Sequence, residues 1–502
     1  MCGIVALWNA GSEELAASMT RKIAHRGPDE FAIGRVGDGP GILGHCRLSI
    51  IGPDNGRQPI HHGGAALVAN GEIYNHLDLR AILGADLFRT DSDSETIIRL
   101  FDTASRGTGG GRWIDRLDGM FGFVLCDGEK LIAARDPLGI KPLYMARLGE
   151  GLAFASEVKA FDGLGVEDVA AIPPGHLFDS RHGLRRWHRM PHGAALPEPG
   201  LDVDGLAAEL RLVLEDAVRK WSMSDVGFGA FLSGGLDSSI IAALANRVLG
   251  GGLRTFAVGV EGSPDLAAAR RVADHIGSDH HELRFTADDI AAAFEEVIYH
   301  LESPDVDLVR SAVPTHFAAL LARRHVKVTL TGEGADELFA GYAYHKPYAG
   351  NPVALAQEIT RSLGTMHNIN LQRVDRLTMA QGLEARTPFL DRDLIAFAQT
   401  IPVDLKLRRE PDGRLVEKWI LRKACEDLLP DDIVWRVKAQ FDEGSGMVAS
   451  LQQALAIATG LDGEIDREQE GRFYRSLVEK RYADPARIFA TAGTWSSDRV
   501  VA

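Results

Sequence analysis

The stretch Leu232-Ser233-Gly234-Gly235-Leu236-Asp237-Ser238-Ser239 decides the reading of this 502-residue chain. Before it, Val226-Gly227-Phe228-Gly229-Ala230-Phe231 is apolar and glycine-rich, as in a buried strand. After it, Ile240-Ile241-Ala242-Ala243-Leu244-Ala245 reads as a helix. A strand, a tight glycine turn carrying hydroxyls and a helix start make an anion cradle. The first backbone N–H groups of the helix lack partners, and they point with the positive end of the helix dipole into the turn. The spacing is not the G-x-x-x-x-G-K-[ST] of a Walker loop, and no lysine sits inside it. Leu232, Ser233, Gly234, Gly235, Asp237 and Ser238 are therefore candidate phosphate-binding residues. A bare Ser-Gly-Gly would suit any strand-to-helix turn; the full stretch between strand and helix is far more specific.

The stretch resembles the pyrophosphate loop of ATP-pyrophosphatases, which split ATP between its α and β phosphates. The surrounding pattern agrees. A helix is expected over 206–220, a second strand over 253–260, a helix over 266–276 capped by Ser263-Pro264-Asp265, and a third strand over 281–285. Such alternation implies a parallel sheet with ligands outside the strand C-terminal ends. Val258, Gly259 and the turn at 263–265 are then placed to meet a nucleotide. His280-His281 lacks a partner at ligand spacing, so a structural role is expected.

A further strand over 326–330 delivers Thr331-Gly332-Glu333-Gly334-Ala335-Asp336-Glu337. Three carboxylates within five residues at a strand end repel one another without a cation. Mg²⁺ on a polyphosphate is the natural partner. Asp237 and Asp336 read as the metal pair. Thr331 and Gly332 join the ATP-binding set, and Glu333 is left for a carboxyl substrate.

The bulk numbers set limits. The length suits two or three domains. Hydrophobic residues make up 45% and charged residues 25%, as in a soluble globular protein. A net charge of −15 argues against an electrostatic grip on nucleic acid or an anionic membrane. The four cysteines, Cys2, Cys46, Cys126 and Cys425, show neither zinc spacing nor a disulfide framework. No apolar run reaches transmembrane length, and the apolar N-terminus lacks a basic leader. A reducing, cytoplasmic setting is expected.

Cys2 directly follows Met1. Removal of Met1 would leave one residue carrying both a thiol nucleophile and an α-amine of reference pKa about 7.7–8.0 to deprotonate it. Alone, Cys2 could equally be a small core residue. It is followed by His25-Arg26-Gly27-Pro28-Asp29, Arg47-Leu48-Ser49-Ile50-Ile51, Asn70-Gly71-Glu72-Ile73-Tyr74-Asn75 and Thr90-Asp91-Ser92-Asp93-Ser94-Glu95, the last capping a helix over 96–101. In this order the motifs resemble the class II glutamine amidotransferase domain, an Ntn hydrolase with an αββα sandwich. That chemistry needs Cys2 to attack an amide and preorganised donors for the oxyanion, for which Asn70 and Gly71 are candidates. Arg47 can clamp the glutamine carboxylate in a bidentate fork, and Asp93 with the Glu72 region can hold its α-ammonium. These are the roles the resemblance implies. The segments at 135–144 and 154–157 resemble structural or interface parts of the same domain, and the glycines at 107–111 suggest a flexible loop.

The proline-rich stretch 190–204 reads as the linker between a domain at 2–189 and one at 205–502. In the second, the two acidic and glycine motifs, Arg373-Val374-Asp375-Arg376, Gly382-Leu383-Glu384-Ala385-Arg386-Thr387-Pro388-Phe389-Leu390-Asp391 and Trp435-Arg436-Val437-Lys438-Ala439-Gln440-Phe441 together resemble the asparagine synthetase family. The resemblance spans roughly residues 2–445. It implies a parallel-sheet ATP-pyrophosphatase α/β domain with helical additions, and it makes Lys438 the lysine that steadies developing charge. Glu333 is then catalytic. The implied reaction adenylates aspartate with ATP and Mg²⁺, releases pyrophosphate and amidates the acyl-AMP with ammonia from glutamine. A tunnel should carry the ammonia, with Leu48, Ile50 and Ile51 at its mouth. The segment 460–472 is charged and expected to be mobile.

Three rivals are weighed. Another carboxylate acceptor is left open by Ser303-Pro304-Asp305-Val306-Asp307. Ring-closing relatives usually lose the cysteine, which is present here. A non-catalytic homologue predicts eroded motifs, and a plain glutaminase would not need the adenylating set; neither fits. A homodimer is compatible with the sequence, which does not fix the oligomeric state.

Overall fold

The computed structural model describes residues 2–105, 113–190, 195, 200–436, 446–461 and 463–494. Two six-stranded antiparallel sheets build the N-terminal half. The first has the order β10-β8-β9-β1-β3-β2, where β1 is Cys2–Trp8, β2 Glu30–Arg35, β3 Gly41–Arg47, β8 Tyr144–Leu148, β9 Gly151–Ala155 and β10 Glu167–Ala171. The second has the order β12-β11-β7-β6-β5-β4, where β4 is Ile60–His62, β5 Ala65–Ile73, β6 Gly119–Cys126, β7 Leu131–Arg135, β11 His176–Asp179 and β12 Gly183–Arg186.

Alternation along the strands explains the sandwich. Ile4, Ala6 and Trp8 of β1 meet Ala66 and Val68 of β5 and Val124 of β6 in one core between the sheets. The intervening Val5 and Leu7 pack outward with Met19 and Ile23, beneath the helix Glu13–Lys22. Leu67 and Ala69 turn the other way, toward Ile97, Ile98 and Phe101 of the helix Glu95–Ser105. Strands with both faces buried need apolar residues at every position, and these have them. By the same parity Cys2, Asn70 and Glu72 face the inter-sheet space. The Asn70-Gly71-Glu72 motif, expected beyond the strand, lies within β5.

The C-terminal half carries a five-stranded parallel sheet of order β15-β14-β13-β16-β17. Its strands are β13 Phe228–Phe231, β14 Arg254–Gly259, β15 Asp279–Arg284, β16 Val328–Leu330 and β17 Glu384–Arg386. The expected linker lies mostly outside the described residues. The helix after it starts at Val203, earlier than expected, because the Asp202 side chain caps the Gly205 N–H. His280 Nδ1 meets Thr255 Oγ1 at 2.9 Å. The glycine loop expected at 107–111 is also outside the described residues.

One expectation is corrected. Residues 467–472 of the segment expected to be mobile belong to a helix, Arg467–Arg481, capped by Asp466. Within it Glu470 is buried, paired with Arg310 Nη2 at 2.6 Å and accepting from Tyr474 Oη at 2.9 Å. A buried ion pair with its hydrogen bonds satisfied anchors the segment.

The halves share a large interface. Leu48, Ile50 and Ile51 pack with Val328 and Met379 of the other half. The C-terminal residues grip the first half as well. Asp162 accepts from the Ala483 and Asp484 N–H groups at 3.2 and 3.0 Å. Arg487 donates to the Phe161 and Val166 carbonyls at 3.0 and 2.8 Å.

Candidate active sites

The first site lies where β1 and β5 meet at the end of the sandwich. The Cys2 N–H donates to Asn70 Oδ1 at 3.1 Å. That bond turns Asn70 Nδ2 away, and this buried amide nitrogen has no hydrogen-bond partner. A buried donor without an acceptor is costly unless a ligand supplies one. Gly71 beside it has φ +147, and a Cβ there would stand 1.9 Å from the Met120 carbonyl oxygen. Only glycine lets β5 keep its register against β6 at this point. Burial pushes the Cys2 thiol up from its ordinary value, against the pull of the chain's amino terminus and of Arg47.

Arg47 is buried. Its Nη2 donates to the Gly52 carbonyl at 2.6 Å, and its Nη1 to the Pro53 carbonyl at 3.2 Å and to Glu30 at 3.3 Å. The guanidinium is thus fixed by loop carbonyls rather than lying loose on the surface. Arg386 of the C-terminal half approaches Glu72 at 3.5 Å, and burial, reinforced by Glu384 and Asp93, holds the Glu72 carboxyl well above the usual range. Arg386 is itself wholly buried and bonds Glu384 and the Trp221 carbonyl. Glu72 Oε2 is buried without a hydrogen-bond partner, on the same face of β5 as Asn70.

Asp93 accepts from the Ile73 N–H at 2.6 Å, and its carboxyl is raised to about 6 from an ordinary 3.8. Burial is the main cause, reinforced by Glu384 and opposed by backbone N–H groups and Arg386. The native state therefore holds the Asp93 proton more tightly than the unfolded chain. Its contribution is fully present at pH values below 3.8 and is lost as pH rises through 3.8 to 6, by about 3 kcal/mol. Asp93→Asn should abolish that decline. In denaturant unfolding, the stability difference between variant and parent should grow by about 2–3 kcal/mol in favour of the variant between pH 4 and 7. An unchanged difference would rule the account out.

The second site lies along the C-terminal ends of β13, β14 and β16. Leu232 closes β13 with its N–H on the Phe256 carbonyl at 2.8 Å. The turn follows with Gly234 at φ +73, where a Cβ would meet the Ala269 nitrogen at 2.5 Å. Hydroxyls brace it: Ser238 Oγ accepts from the Ser233 N–H at 3.1 Å and bonds Ser233 Oγ at 3.0 Å. Gly235 is the N-cap of the helix Leu236–Leu249, which begins before the 240–245 stretch read as helical. Val258 stands near the end of β14. Beyond β16, the Thr331 N–H is tied to the Arg386 carbonyl at 2.8 Å, and a Cβ on Gly332 would stand 2.8 Å from Asp237 Cβ. That close approach brings the two motifs together. Asp336 lies on the short helix Ala335–Leu338.

Asp237 and Asp336 meet through a residue the sequence reading missed. Lys418 Nζ lies between them, hydrogen-bonded to Asp237 and 2.6 Å from Asp336 Oδ1. Burial disfavours its charge, yet the two carboxylates hold its pKa above the ordinary value. Asp237 Oδ1 remains buried without a hydrogen-bond partner. Glu333 is gripped by Arg373. Arg436 donates from Nη1 to the Gly234 carbonyl at 3.1 Å and from Nη2 to Asp265 at 2.8 Å, tying the turn at 263–265 to the loop. Lys438 lies outside the described residues. No compact signal in the sequence marks Lys418; Arg373 and Arg436 sit in motifs quoted above, and only the geometry gives them work.

The comparisons agree in both halves. A family model described as a glutamine amidotransferase domain matches residues 1–172, and one described as asparagine synthase matches 209–355 and 349–501. A curated relative named asparagine synthetase [glutamine-hydrolyzing] 3, of Arabidopsis thaliana, is 41% identical over 475 residues, covering 89% of this chain and 79% of the relative. The asparagine synthetase [glutamine-hydrolyzing] of Triphysaria versicolor is 38% identical over 522 residues, covering 96% of this chain and 86% of the relative.

Proposed function

The chain belongs to the glutamine-hydrolysing asparagine synthetase family, and from that premise we propose which of its residues carry each half of the reaction. The protein is a ligase that forms asparagine from aspartate with ATP, taking nitrogen from glutamine. With Met1 removed, the Cys2 thiol loses its proton to its own α-amine and attacks the glutamine side-chain amide; the amine returns the proton to the nitrogen as the C–N bond breaks and ammonia leaves, and water then hydrolyses the thioester to glutamate. The unpartnered Asn70 Nδ2 and the Gly71 N–H receive the oxyanion, and this orphaned donor beside the thiol is the observation that carries the reading. Arg47 and Asp93 hold the glutamine α-groups.

In the other half, the braced loop 233–238 receives the pyrophosphate of ATP as aspartate is adenylated. The unpaired oxygen of Asp237 together with Asp336 offers the hard oxygen donors that Mg²⁺ prefers, and when bound the ion would neutralise the phosphates. Lys418 Nζ then transfers its charge to the phosphates, with Lys438 as a second cation, while Glu333 takes a proton as ammonia attacks the acyl-adenylate and AMP leaves. The apolar contact of Leu48, Ile50 and Ile51 with Val328 and Met379 supports a water-poor passage for ammonia. Among the described residues no helix is long and apolar enough to cross a membrane, and the four cysteines are free and buried. Both facts are compatible with a cytoplasmic enzyme.

The test is an assay with ATP, Mg²⁺, glutamine and a panel of carboxylic acids. Pyrophosphate and asparagine should form in equal amounts with aspartate alone. Release driven by another acid in preference to aspartate would sink the assignment of the acceptor.

A further inference from the structure

A buried ion cluster spans the two halves and ends on the main chain of Cys2. Arg26 donates from Nε to the Cys2 carbonyl at 3.1 Å. Its Nη1 reaches Glu157 at 2.6 Å and Asp375 Oδ2 at 2.8 Å, and its Nη2 reaches Asp375 Oδ1 at 3.1 Å. Asp375 therefore holds the guanidinium in a bidentate fork, from the helix Asn370–Met379 of the C-terminal half. Lys141 and Arg376 also face Asp375, at 3.7 and 3.8 Å. Every member of this cluster is buried. Such a fork fixes both the plane and the position of a guanidinium.

Cys2 is the first residue of β1 and pairs with Arg47 of β3. Asn70 holds its N–H and Arg26 its carbonyl. We propose that Asp375 is a positioning residue for glutamine hydrolysis, acting from the synthetase half through the Arg26 fork on the main chain of Cys2. The inference rests on the reading of Cys2 as nucleophile. Arg26 donates to Cys2 and not to Arg47 or Asp93, so its displacement should misplace the thiol without loosening the glutamine α-groups. A misplacement of about 1 Å at a reacting atom costs on the order of a hundredfold in rate.

Asp375→Asn removes one buried anion among three cations and endangers folding, so the charge-compensated pair D375N/K141M is made beside it. Each full-length variant is assayed for glutaminase kcat and KM and, in the same preparation, for asparagine synthesis from ammonium chloride. The expected result is a fall in glutaminase kcat of about tenfold or more, with KM for glutamine within about twofold and ammonia-dependent synthesis within about twofold of the parent. Glutaminase kcat at the parental level in a variant that makes asparagine from ammonia would overturn the proposal. So would a parallel loss of both activities in the compensated pair, which is what general support of the interface predicts. Cys2→Ala separates the two readings: if it still hydrolyses glutamine the nucleophile is wrong, whereas an inactive C2A beside a normal D375N/K141M condemns the positioning role alone.

Discussion

Replacing Cys2 with alanine will abolish asparagine synthesis from glutamine and leave synthesis from ammonia at the parental rate. On the proposed reading the thiol sulfur forms the acyl-enzyme bond. Loss of a nucleophile typically removes about a thousandfold or more of rate, since binding and the oxyanion donors alone supply only a residue of catalysis. The structural cost should be small. Cys2 sits at a strand end, and trimming a sulfur leaves the Cys2 N–H on Asn70 intact. Stability should fall by about 1 kcal/mol or less. The expected separation of the two activities follows from the architecture, because the proposed adenylation site lies at the ends of β13 and β16 rather than between the antiparallel sheets. The measurement is paired: asparagine formed per minute with glutamine, then with ammonium chloride, on one preparation. Glutamine-dependent synthesis above about a tenth of the parental rate would disprove the role of the thiol. Intact mass should show Met1 removed in the active parent.

Lys418→Met should produce the second large effect, and it has two opposite parts. Two carboxylates, Asp237 and Asp336, now share one ammonium. Without it they face each other in a half-buried site, and the cost stays below the ~3–5 kcal/mol of breaking a fully buried pair. Added Mg²⁺ should restore much of that stability, since the ion would no longer compete with a resident cation. Mn²⁺ titrated in its place should bind the variant at least about tenfold more tightly than the parent in the absence of ATP, because a positive charge within hydrogen-bond reach opposes a second one. Catalysis should move the other way. A cation that follows charge onto the departing pyrophosphate stabilises the transition state, and its loss should lower aspartate-dependent pyrophosphate release by about a hundredfold or more. Tighter metal binding with weaker catalysis is the signature. Weaker Mn²⁺ binding in the variant would show that Lys418 supports the metal site instead of competing for it.

What the sequence reveals here is set by how local each interaction is. The loop at 232–239 is legible because its strand, turn, hydroxyl braces and helix are contiguous. Cys2 with Asn70 is legible only as a set of ordered motifs, since strand pairing alone brings them together. Lys418 and Asp237 stand 181 positions apart, and no periodicity or spacing joins them. Arg26 and Asp375 are 349 positions apart, so their fork is invisible until the halves dock. Glu470 misleads for the opposite reason: its charged run is expected to be mobile, and only Arg310, at a distance of 160 positions, reveals its burial. Glu72 is read from its neighbours Asn70 and Gly71, and its approach by Arg386 of the other half is not legible there.

The clasp of Asp162 and Arg487 on the opposite half bears on how this enzyme can be recombined. Chimeras assembled by cutting relatives at the proline-rich junction would combine a glutaminase from one parent with a synthetase and C-terminal helices from another. The cut would then divide Asp162 from the 483–484 backbone, Arg487 from its carbonyl acceptors, and Arg26 from Asp375. The inheritable unit is therefore the matched pair of surfaces rather than either module, and crossovers that keep those partners together are the ones that should yield working hybrids.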